Sequence, residues 1–328
     1  MWKKIVGIII CMLLFGAILV PAISSDEIIK KCRLGRTFYV GGGGPGNYTM
    51  IQDAIDDASD GDLVFVYNDS SPYYESVVVN KSITLFGEDK YSTVIDSNVD
   101  SHSNDDECCI TITDDSVSVS GFTLTNKIPG GWNKGIAVSS NCENVVISNN
   151  IIKNTNQGIY IESGCNNLID GNIIMDVIGG INIRDYANNN IISNNSIINS
   201  RYKGIEIRQF SSFNTVTRNK IINGVCSGIE LYDSTENNIF LNSIEIIDSN
   251  WIFSIVNSFD NKISQNNFII NGFYHVISID SDNIWDGNYW GKSMILPRFI
   301  PIYHDNYILP YIFDLDVDWH PAKEPYDI

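Results

Sequence analysis

The sequence predicts an all-β protein whose chain winds into a right-handed parallel β-helix, a solenoid in which each coil stacks on the previous one. The first observation is a pair of asparagines, five residues apart, that returns at steps of 23 or 24 residues. A fixed period of this size marks a repeat architecture. The first column is Asn144, Asn167, Asn190, Asn214, Asn237 and Asn261. The second column is Asn149, Asn172, Asn195, Asn219, Asn242 and Asn266.

The second observation is a short segment of alternating apolar and polar residues that opens most coils after a glycine. Alternation places one set of side chains in the core and the other on the surface. The segments are rich in Ile and Val and too short for helices, so they predict strands. The glycine before each strand is expected to supply a turn with positive φ. Examples are 158–161, 180–183, 204–207 and 228–231.

The asparagines are predicted to stack from coil to coil as a ladder, each side chain bonding to its equivalents above and below. Asn283 and Asn288 extend the two columns by one coil, 22 residues further on. Phe122 occupies the asparagine position of the preceding coil, so the ladder is expected to begin at Asn149. The apolar residues two positions after each asparagine, Val146 and Ile151 among them, are predicted to face the core.

Both ends of the solenoid need a cap, because its core would otherwise be open. Residues 49–52 have the capping-box pattern Thr-x-x-Gln, and apolar residues behind them share one helical face. We therefore expect a short amphipathic helix over residues 50–59. At the other end Trp290 takes the core position of the last coil, and dispersed prolines and aromatic residues then predict an irregular aromatic cap.

The predicted organisation has four parts: residues 1–24 a signal peptide, 25–62 an entry segment with the capping helix, 63–291 the β-helix repeats, and 292–328 the C-terminal cap or tail. The signal peptide rests on Lys3 and Lys4 followed by an apolar run over 5–20. The alternative is an uncleaved membrane anchor, although about 20 apolar residues are needed to span a bilayer. The expected location is secreted or on the cell surface.

The charge balance narrows the choice of partner. The 328-residue chain has 21 Lys and Arg against 39 Asp and Glu, a net charge of −18. This argues against nucleic acid and against an anionic membrane surface. We expect a polysaccharide or a cell-surface component as partner, membrane contact through an uncleaved N-terminal segment alone, and a monomeric protein.

Cysteine spacing suggests one disulfide. Cys142 and Cys165 are 23 residues apart and are expected at equivalent positions of adjacent coils, near the distance that a disulfide needs. The alternative is two stacked free thiols in the core. Cysteine and histidine spacings do not suggest a zinc site.

These features resemble a known family. The Gly-Ile-x-Ile openings, the asparagine turns, the entry segment 48–55 and the closing segment 285–291 are similar to the secreted right-handed β-helix proteins of the pectate-lyase-like superfamily, in particular the NosD-like repeat proteins. The resemblance covers nearly the whole chain after the signal segment. It implies the fold and secretion, but the superfamily includes lyases, hydrolases, epimerases and adhesins, so it does not imply one activity.

Candidate site residues follow from the outward positions of the Gly-Ile-x-Ile strands. One predicted column contains Tyr160, Asn182, Glu206 and Glu230, and the neighbouring column contains Arg184, Arg208 and Tyr232. Two carboxylates one coil apart resemble the pair of a retaining glycosidase, about 5–5.5 Å apart. Arginine and tyrosine beside them suit an acidic sugar. The alternative is a solvated sheet face with weak ion pairs.

No cofactor is expected, although Asp105-Asp106 and Asp114-Asp115 are acidic loop pairs that could hold Ca²⁺. Scattered histidines (His102, His275, His304 and His320) give no copper cluster of the kind that the NosD resemblance would suggest. The motifs of polygalacturonase-like and pectate-lyase-like enzymes are absent from the repeat region.

Three functions remain open at this point. The first is a surface β-helix protein that binds carbohydrate or another surface partner without catalysis. The second is a polysaccharide hydrolase or lyase using Glu206 and Glu230. The third is a NosD-like periplasmic accessory protein.

Overall fold

The computed structural model describes residues 35–97, 108–126, 132–246, 251–270, 276–291, 298–303 and 314–328. The predicted signal segment, the Asp105-Asp106 pair and three of the histidines (His102, His275 and His304) lie outside these residues. The described chain from Arg36 forms one compact unit. It is the predicted right-handed parallel β-helix, with three parallel sheets along its length and almost no helix.

Sheet 1 contains strands β1 (Thr37–Val40), β2 (Leu63–Val66), β4 (Thr84–Gly87), β7 (Ser118–Ser120), β10 (Val146–Ser148), β13 (Leu168–Asp170), β16 (Ile191–Ser193), β19 (Thr215–Thr217), β22 (Asn238–Phe240), β25 (Phe259–Ser264) and β28 (Asp282–Asp286). Sheet 2 contains β5 (Val94–Asp96), β8 (Thr123–Thr125), β11 (Ile151–Lys153), β14 (Ile173–Met175), β17 (Ser196–Ile198), β20 (Lys220–Ile222), β23 (Ser243–Ile246) and β26 (Asn267–Ile270).

Sheet 3 contains β3 (Val77–Val79), β6 (Cys108–Ile112), β9 (Lys134–Val138), β12 (Gln157–Glu162), β15 (Gly179–Arg184), β18 (Lys203–Arg208), β21 (Ser227–Tyr232), β24 (Phe253–Val256), β27 (Val276–Ile279), β29 (Arg298–Tyr303) and β30 (Asp314–Asp318). Each strand pairs in parallel with its equivalent in the next coil, except that β29 and β30 pair antiparallel. The inward residues of the strands stack into core columns, as Ile169, Ile192 and Val216 do in sheet 1.

The asparagine ladder is a continuous chain of buried hydrogen bonds. Asn195 shows the pattern: its Nδ2 donates to the Ile169 carbonyl oxygen at 2.9 Å and to Asn219 Oδ1 at 3.0 Å. Its own Oδ1 accepts the backbone N–H and the Nδ2 of Asn172, each at 3.0 Å. Because every donor and acceptor of the amide is bonded, the side chain can be buried without a desolvation penalty.

The ladder begins one residue later than the sequence predicted. Asn149 is exposed and has a positive φ of 55°, whereas Asn150 is buried and donates from its backbone N–H to Asn172 Oδ1 at 3.0 Å. The prediction for Asn149 was wrong because β10 and β13 pair at a step of 22 residues, Val146 with Leu168. The inward residues of this coil are correspondingly Ile147 and Ile152.

The same irregularity removes the predicted disulfide. Val138 pairs with Ile161 and Val146 with Leu168, so the turn around Cys142 is one residue longer than the turn around Cys165. Cys142 is buried and Cys165 is half-buried, and both are free thiols. Gly164 lies against Cys142 instead, since a Cβ on Gly164 would be 2.9 Å from the Cys142 carbonyl oxygen.

The repeated glycines serve a purpose other than the predicted one. Gly158, Gly180, Gly204 and Gly228 do not have positive φ. A Cβ on Gly180 would collide with the carbonyl oxygen of Gly204 and would lie 2.9 Å from Ile197 Cγ2. Glycine is therefore required by the close approach of stacked backbones rather than by a turn.

The N-terminal lid is helix α1 (Ile51–Asp57), within the predicted range 50–59. No side chain caps it locally, so the predicted capping box is wrong. Glu75 accepts instead from the backbone N–H groups of Ile51 and Gln52 at 2.8 and 3.0 Å. Lys81 Nζ donates to the Ile55 and Ala58 carbonyl oxygens at the other end, at 2.9 and 2.7 Å. The first coil thus caps both ends of its own lid.

The C-terminal cap is more regular than predicted, because β30 (Asp314–Asp318) continues the ladder with aspartates. Asn288 donates to Asp318 Oδ2 from its backbone N–H at 3.0 Å, and Trp290 Nε1 donates to the same oxygen at 3.0 Å. Trp285 Nε1 donates to Asp316 Oδ2 at 3.1 Å. The carboxylates therefore replace the asparagine oxygens of a further coil. No helix in the described residues is long and apolar enough to cross a membrane.

Candidate functional site

The predicted outward column of sheet 3 is assembled by the strand register. Tyr160 pairs with Asn182, Asn182 with Glu206, and Glu206 with Glu230, each one coil from the next. In the neighbouring column Arg208 pairs with Tyr232. These residues share one face of the solenoid, here called the sheet 3 face.

A lysine that the sequence analysis missed lies at the centre of this face. Lys203 Nζ donates to Glu206 Oε1 at 2.8 Å and also to Glu230 Oε1. The three side chains form a carboxylate–ammonium–carboxylate cluster across β18 and β21. Lys203 is 7% exposed and Glu206 is 6% exposed, so the cluster is buried although its strands turn these residues away from the core.

The glycine before each strand explains why the alternation pattern concealed Lys203. A Cβ on Gly204 would be 2.8 Å from the core residue Ile221, so this glycine faces the core, as its neighbour Ile205 does. Two successive inward positions reverse the alternation of the strand. Lys203 therefore emerges on the same side as Glu206, although strict alternation from Ile205 would place it inside.

The electrostatics of the cluster follow from its burial. Burial raises the pKa of Glu230, more than the hydrogen bond and positive charge of Lys203 lower it. Burial alone would lower the pKa of Lys203, but the hydrogen bonds to Glu206 and Glu230 outweigh it, and the net shift is upward. Lys203 is thus held in its charged form at neutral pH, and Glu230 keeps a proton more readily than an ordinary glutamate.

Arginine and tyrosine side chains border the cluster. Arg208 Nη1 is 3.2 Å from Glu206 Oε1, and its guanidinium lies 5.5 Å from the centre of the Tyr232 ring. Arg184 donates from Nε to Asp185 Oδ2 at 2.6 Å, and its guanidinium lies 5.9 Å from the Tyr160 ring centre. Both arginine side chains remain about one-third exposed, so N–H groups that do not bond within the protein are near a ligand on this face.

Several buried polar atoms at this face have no hydrogen-bond partner within the described part of the chain. They are Asn182 Oδ1, Arg208 Nε and Gln209 Oε1. Asn182 Nδ2, in contrast, donates to Glu206 Oε2 at 2.6 Å. Buried polar groups in native proteins are nearly always satisfied, and an exception needs a specific reason. Unsatisfied donors and acceptors next to a charged cluster are the pattern expected where a polar ligand binds.

The described residues contain no group of His, Cys, Asp and Glu side chains arranged to hold a metal ion. Asp114 and Asp115 instead bond to neighbouring backbone N–H groups, Asp115 Oδ1 accepting from Glu143 at 2.8 Å. His320 is exposed and lies 2.9 Å from Asp286.

A separate depression of about 560 Å³ lies at the N-terminal end, away from the sheet 3 face. It is lined by Tyr39, Tyr67, Asn47, Asp69 and the glycine-rich segment 42–44. Tyr39 and Tyr67 are stacked with ring centres 6.0 Å apart. None of the predicted site residues reaches this depression, and it has no cluster of paired carboxylates.

Comparison with known proteins supports the fold. Residues 108–269 match the family model described as a right-handed beta helix region. Curated proteins give no match to this sequence. The predicted right-handed β-helix fold is confirmed, whereas the pectate-lyase-like assignment and the narrower NosD-like assignment stay predictions.

Three solved structures illustrate the similarity. An alginate lyase from Paenibacillus sp. is 13% identical with a TM-score of 0.50, covering 76% of this chain and 95% of its own. A lacto-N-biosidase from Eubacterium ramulus is 12% identical with a TM-score of 0.54, covering 81% and 64%. An alpha-1,3-glucanase from Streptomyces thermodiastaticus is 14% identical with a TM-score of 0.52, covering 73% and 56%. Identities this low show a common fold.

Proposed function

We propose that this protein binds an acidic polysaccharide on the sheet 3 face. The observation that carries the proposal is the buried cluster of Lys203, Glu206 and Glu230, bordered by Arg184 and Arg208 with unsatisfied polar atoms beside it. Burying three charges on an outward sheet face is costly, and stability alone does not account for it. Planar guanidinium groups above such a cluster suit the carboxylates of uronic acid residues.

Two further observations support a carbohydrate over a protein ligand. Tyr160 and Tyr232 lie beside the two arginines and offer aromatic surface to a sugar ring. Similar solved structures include proteins named alginate lyase, lacto-N-biosidase and alpha-1,3-glucanase. Because the net charge is −18, an anionic ligand must be met by local cationic groups, and Arg184 and Arg208 are such groups although each also contacts a carboxylate.

The test is a calorimetric titration with alginate oligosaccharides and, as a neutral comparison, cello-oligosaccharides. The wild-type protein is expected to bind the acidic series and to lose affinity as salt is raised. The Arg184→Met/Arg208→Met variant should bind at least about tenfold more weakly, because each charge-assisted hydrogen bond contributes about 1.5–3 kcal/mol. Lys153→Met on sheet 2 is the matched control. Equal binding by the double variant and the control would refute the proposal.

A second candidate function is polysaccharide cleavage, and the position of Glu230 favours it. Glu230 shares Lys203 with Glu206 on the adjacent coil, and its pKa is raised by burial, as a general acid requires. Release of reducing ends from the bound polysaccharide would be measured for wild type and Glu230→Gln. Cleavage that Glu230→Gln abolishes while binding persists supports an enzyme. Binding without cleavage in the wild type leaves a binding protein.

A further inference from the structure

Two exposed aromatic side chains form a ridge at the edge of the sheet 3 face. Tyr186 is 63% exposed and Phe210 is 57% exposed. Their rings are stacked, with centres 5.3 Å apart and planes at 23°. Each ring lies two residues after the end of a candidate site strand. Tyr186 follows Arg184, the last residue of β15, and Phe210 follows Arg208, the last residue of β18. We refer to this pair as the aromatic ridge.

The ridge exists because the chain inserts one residue into each of these two turns. Residues 185–190 connect β15 to β16, and residues 209–214 connect β18 to β19. The equivalent turns of the coils on either side, 163–167 and 233–237, are one residue shorter. The extra residues are Tyr186 and Phe210, since Tyr186 N–H donates to the Gln209 carbonyl oxygen at 2.9 Å and Gln209 N–H donates to Tyr232 at 3.0 Å.

The backbone of the ridge is in a conformation that aromatic residues rarely adopt. Tyr186 has a φ of 65° and Phe210 a φ of 63°. The other described residues with positive φ are almost all Asn, Asp, Ser, Gln, Glu or Gly, which tolerate this region. The remaining aromatic exception is Phe213, which is also exposed and lies in the same turn as Phe210. Strain of this kind is concentrated at ligand sites.

Packing within the protein does not account for these rings. More than half of each side chain is in solvent, and each ring keeps one face turned away from its stacking partner. The adjacent turns are one residue shorter and have no residue equivalent to Tyr186 or Phe210. An apolar ring face beside an arginine is the surface that a sugar ring with a neighbouring carboxylate requires.

We infer that the aromatic ridge is a second subsite, on which one sugar ring of the bound polysaccharide stacks while the carboxylate of a unit at least two units further along the chain contacts Arg184 or Arg208. This inference rests on the proposed function and extends it. It specifies the ligand as a chain long enough to reach from the sheet 3 face to the turn. The ridge therefore determines the minimum length of oligosaccharide that binds with full affinity.

The test replaces both rings by asparagine, the residue that positive φ favours. Tyr186→Asn/Phe210→Asn is expected to keep or raise the melting temperature, because it relieves the strained conformation. The affinity for alginate hexasaccharide should fall by about fivefold or more, the loss expected for one aromatic stacking contact. The affinity for alginate disaccharide, which is too short to reach both sites, should be unchanged. Tyr74→Asn removes an aromatic ring of similar exposure elsewhere and should change neither value.

The outcomes separate the ridge from the proposed function. Suppose that the wild type binds the hexasaccharide, that the arginine double variant loses this affinity, and that the ridge variant keeps it. The ridge inference is then refuted and the proposed function stands. If the ridge variant loses both melting temperature and affinity for the disaccharide, the rings are structural and the inference is also refuted. If the wild type binds no alginate oligosaccharide at any length, both are refuted together.

Discussion

The asparagine ladder and the sheet 3 face are two buried polar regions of the same solenoid that differ in periodicity and in hydrogen bonding. The ladder repeats in each coil from Asn150 to Asn288, and the backbone N–H groups of Asn172, Asn195 and Asn219 each donate to the asparagine Oδ1 of the next coil. The sheet 3 face has no such regular repeat: Tyr160, Asn182, Glu206 and Glu230 occupy one column with three different kinds of side chain. Polar atoms remain unsatisfied there and are satisfied in the ladder.

This difference separates structure from function within one fold. A periodic polar residue whose bonds are all made to its own equivalents has a role in stacking the coils. A polar residue that departs from the period, carries charge and leaves atoms unbonded is not explained by stacking. Variants that change one region at a time, with stability and binding measured separately, distinguish these two roles.

The largest effect on stability is expected at Lys203. Lys203→Met leaves Glu206 and Glu230 buried without their shared cation, which should lower the free energy of unfolding by about 3–5 kcal/mol. Urea denaturation measures it. Adding Glu206→Gln and Glu230→Gln to the same protein removes the uncompensated charges and should recover most of the loss. A single variant as stable as wild type would show that the cluster is solvated.

The ladder is expected to give the next largest effect. Asn150→Ala leaves the Phe122 N–H, which bonds to Asn150 Oδ1 at 3.1 Å, without a partner and should cost about 1–3 kcal/mol of unfolding free energy. Asn149→Gly is the matched control, because glycine keeps the positive φ of this exposed position. It should change stability by less than about 0.5 kcal/mol. If Asn149→Gly lowered the unfolding free energy more than Asn150→Ala does, Asn149 would be the ladder residue, as the sequence predicted.

A smaller effect is expected from pH at the C-terminal cap. Burial raises the pKa of Asp316 to about 6, above the value of about 3.9 for an unfolded chain. The folded protein therefore binds this proton more tightly, and its stability should rise as the pH falls from 7 through 6 towards 4.

Asp316→Asn tests this, because the amide keeps an acceptor for Trp285 and cannot titrate. The stability difference between wild type and Asp316→Asn should shift in favour of wild type as the pH falls, as followed by melting temperatures between pH 4.5 and 7.5. Asp260→Asn alters an exposed aspartate and should leave the dependence of melting temperature on pH as it is in wild type. If this dependence is the same in wild type and Asp316→Asn, the raised pKa of Asp316 is contradicted.

Much of the fold could be predicted because it is periodic. The spacing of Asn172, Asn195 and Asn219 and the isoleucines after them determines which strands stack, and the structure reproduces that register from Leu168 onward. The error at Asn149 arose because a one-residue change in a single turn shifts the register of a whole coil. Sequence spacing cannot show in which turn a residue has been gained or lost.

The caps and the site centre were harder to predict for a different physical reason. Glu75 and Lys81 cap helix α1 from a following coil, and Asp316 and Asp318 accept hydrogen bonds from Trp285 and Asn288, about 30 residues before them. Such contacts leave no local sequence pattern. Lys203 was missed because an inward glycine reverses the alternation of its strand. A signal was present in the sequence, since Lys203 is a basic residue only three positions before Glu206.

The claim that the aperiodic face binds the ligand and the periodic ladder stacks the coils is tested most directly by one titration. Alginate hexasaccharide is added to the Arg184→Met/Arg208→Met protein and, in parallel, to the Asn150→Ala protein at a temperature where both are folded. The arginine variant is expected to lose at least about tenfold in affinity. Asn150→Ala, although less stable, is expected to bind as wild type does. Retained affinity in the arginine variant, or equal loss in both, would contradict ligand binding by the aperiodic face.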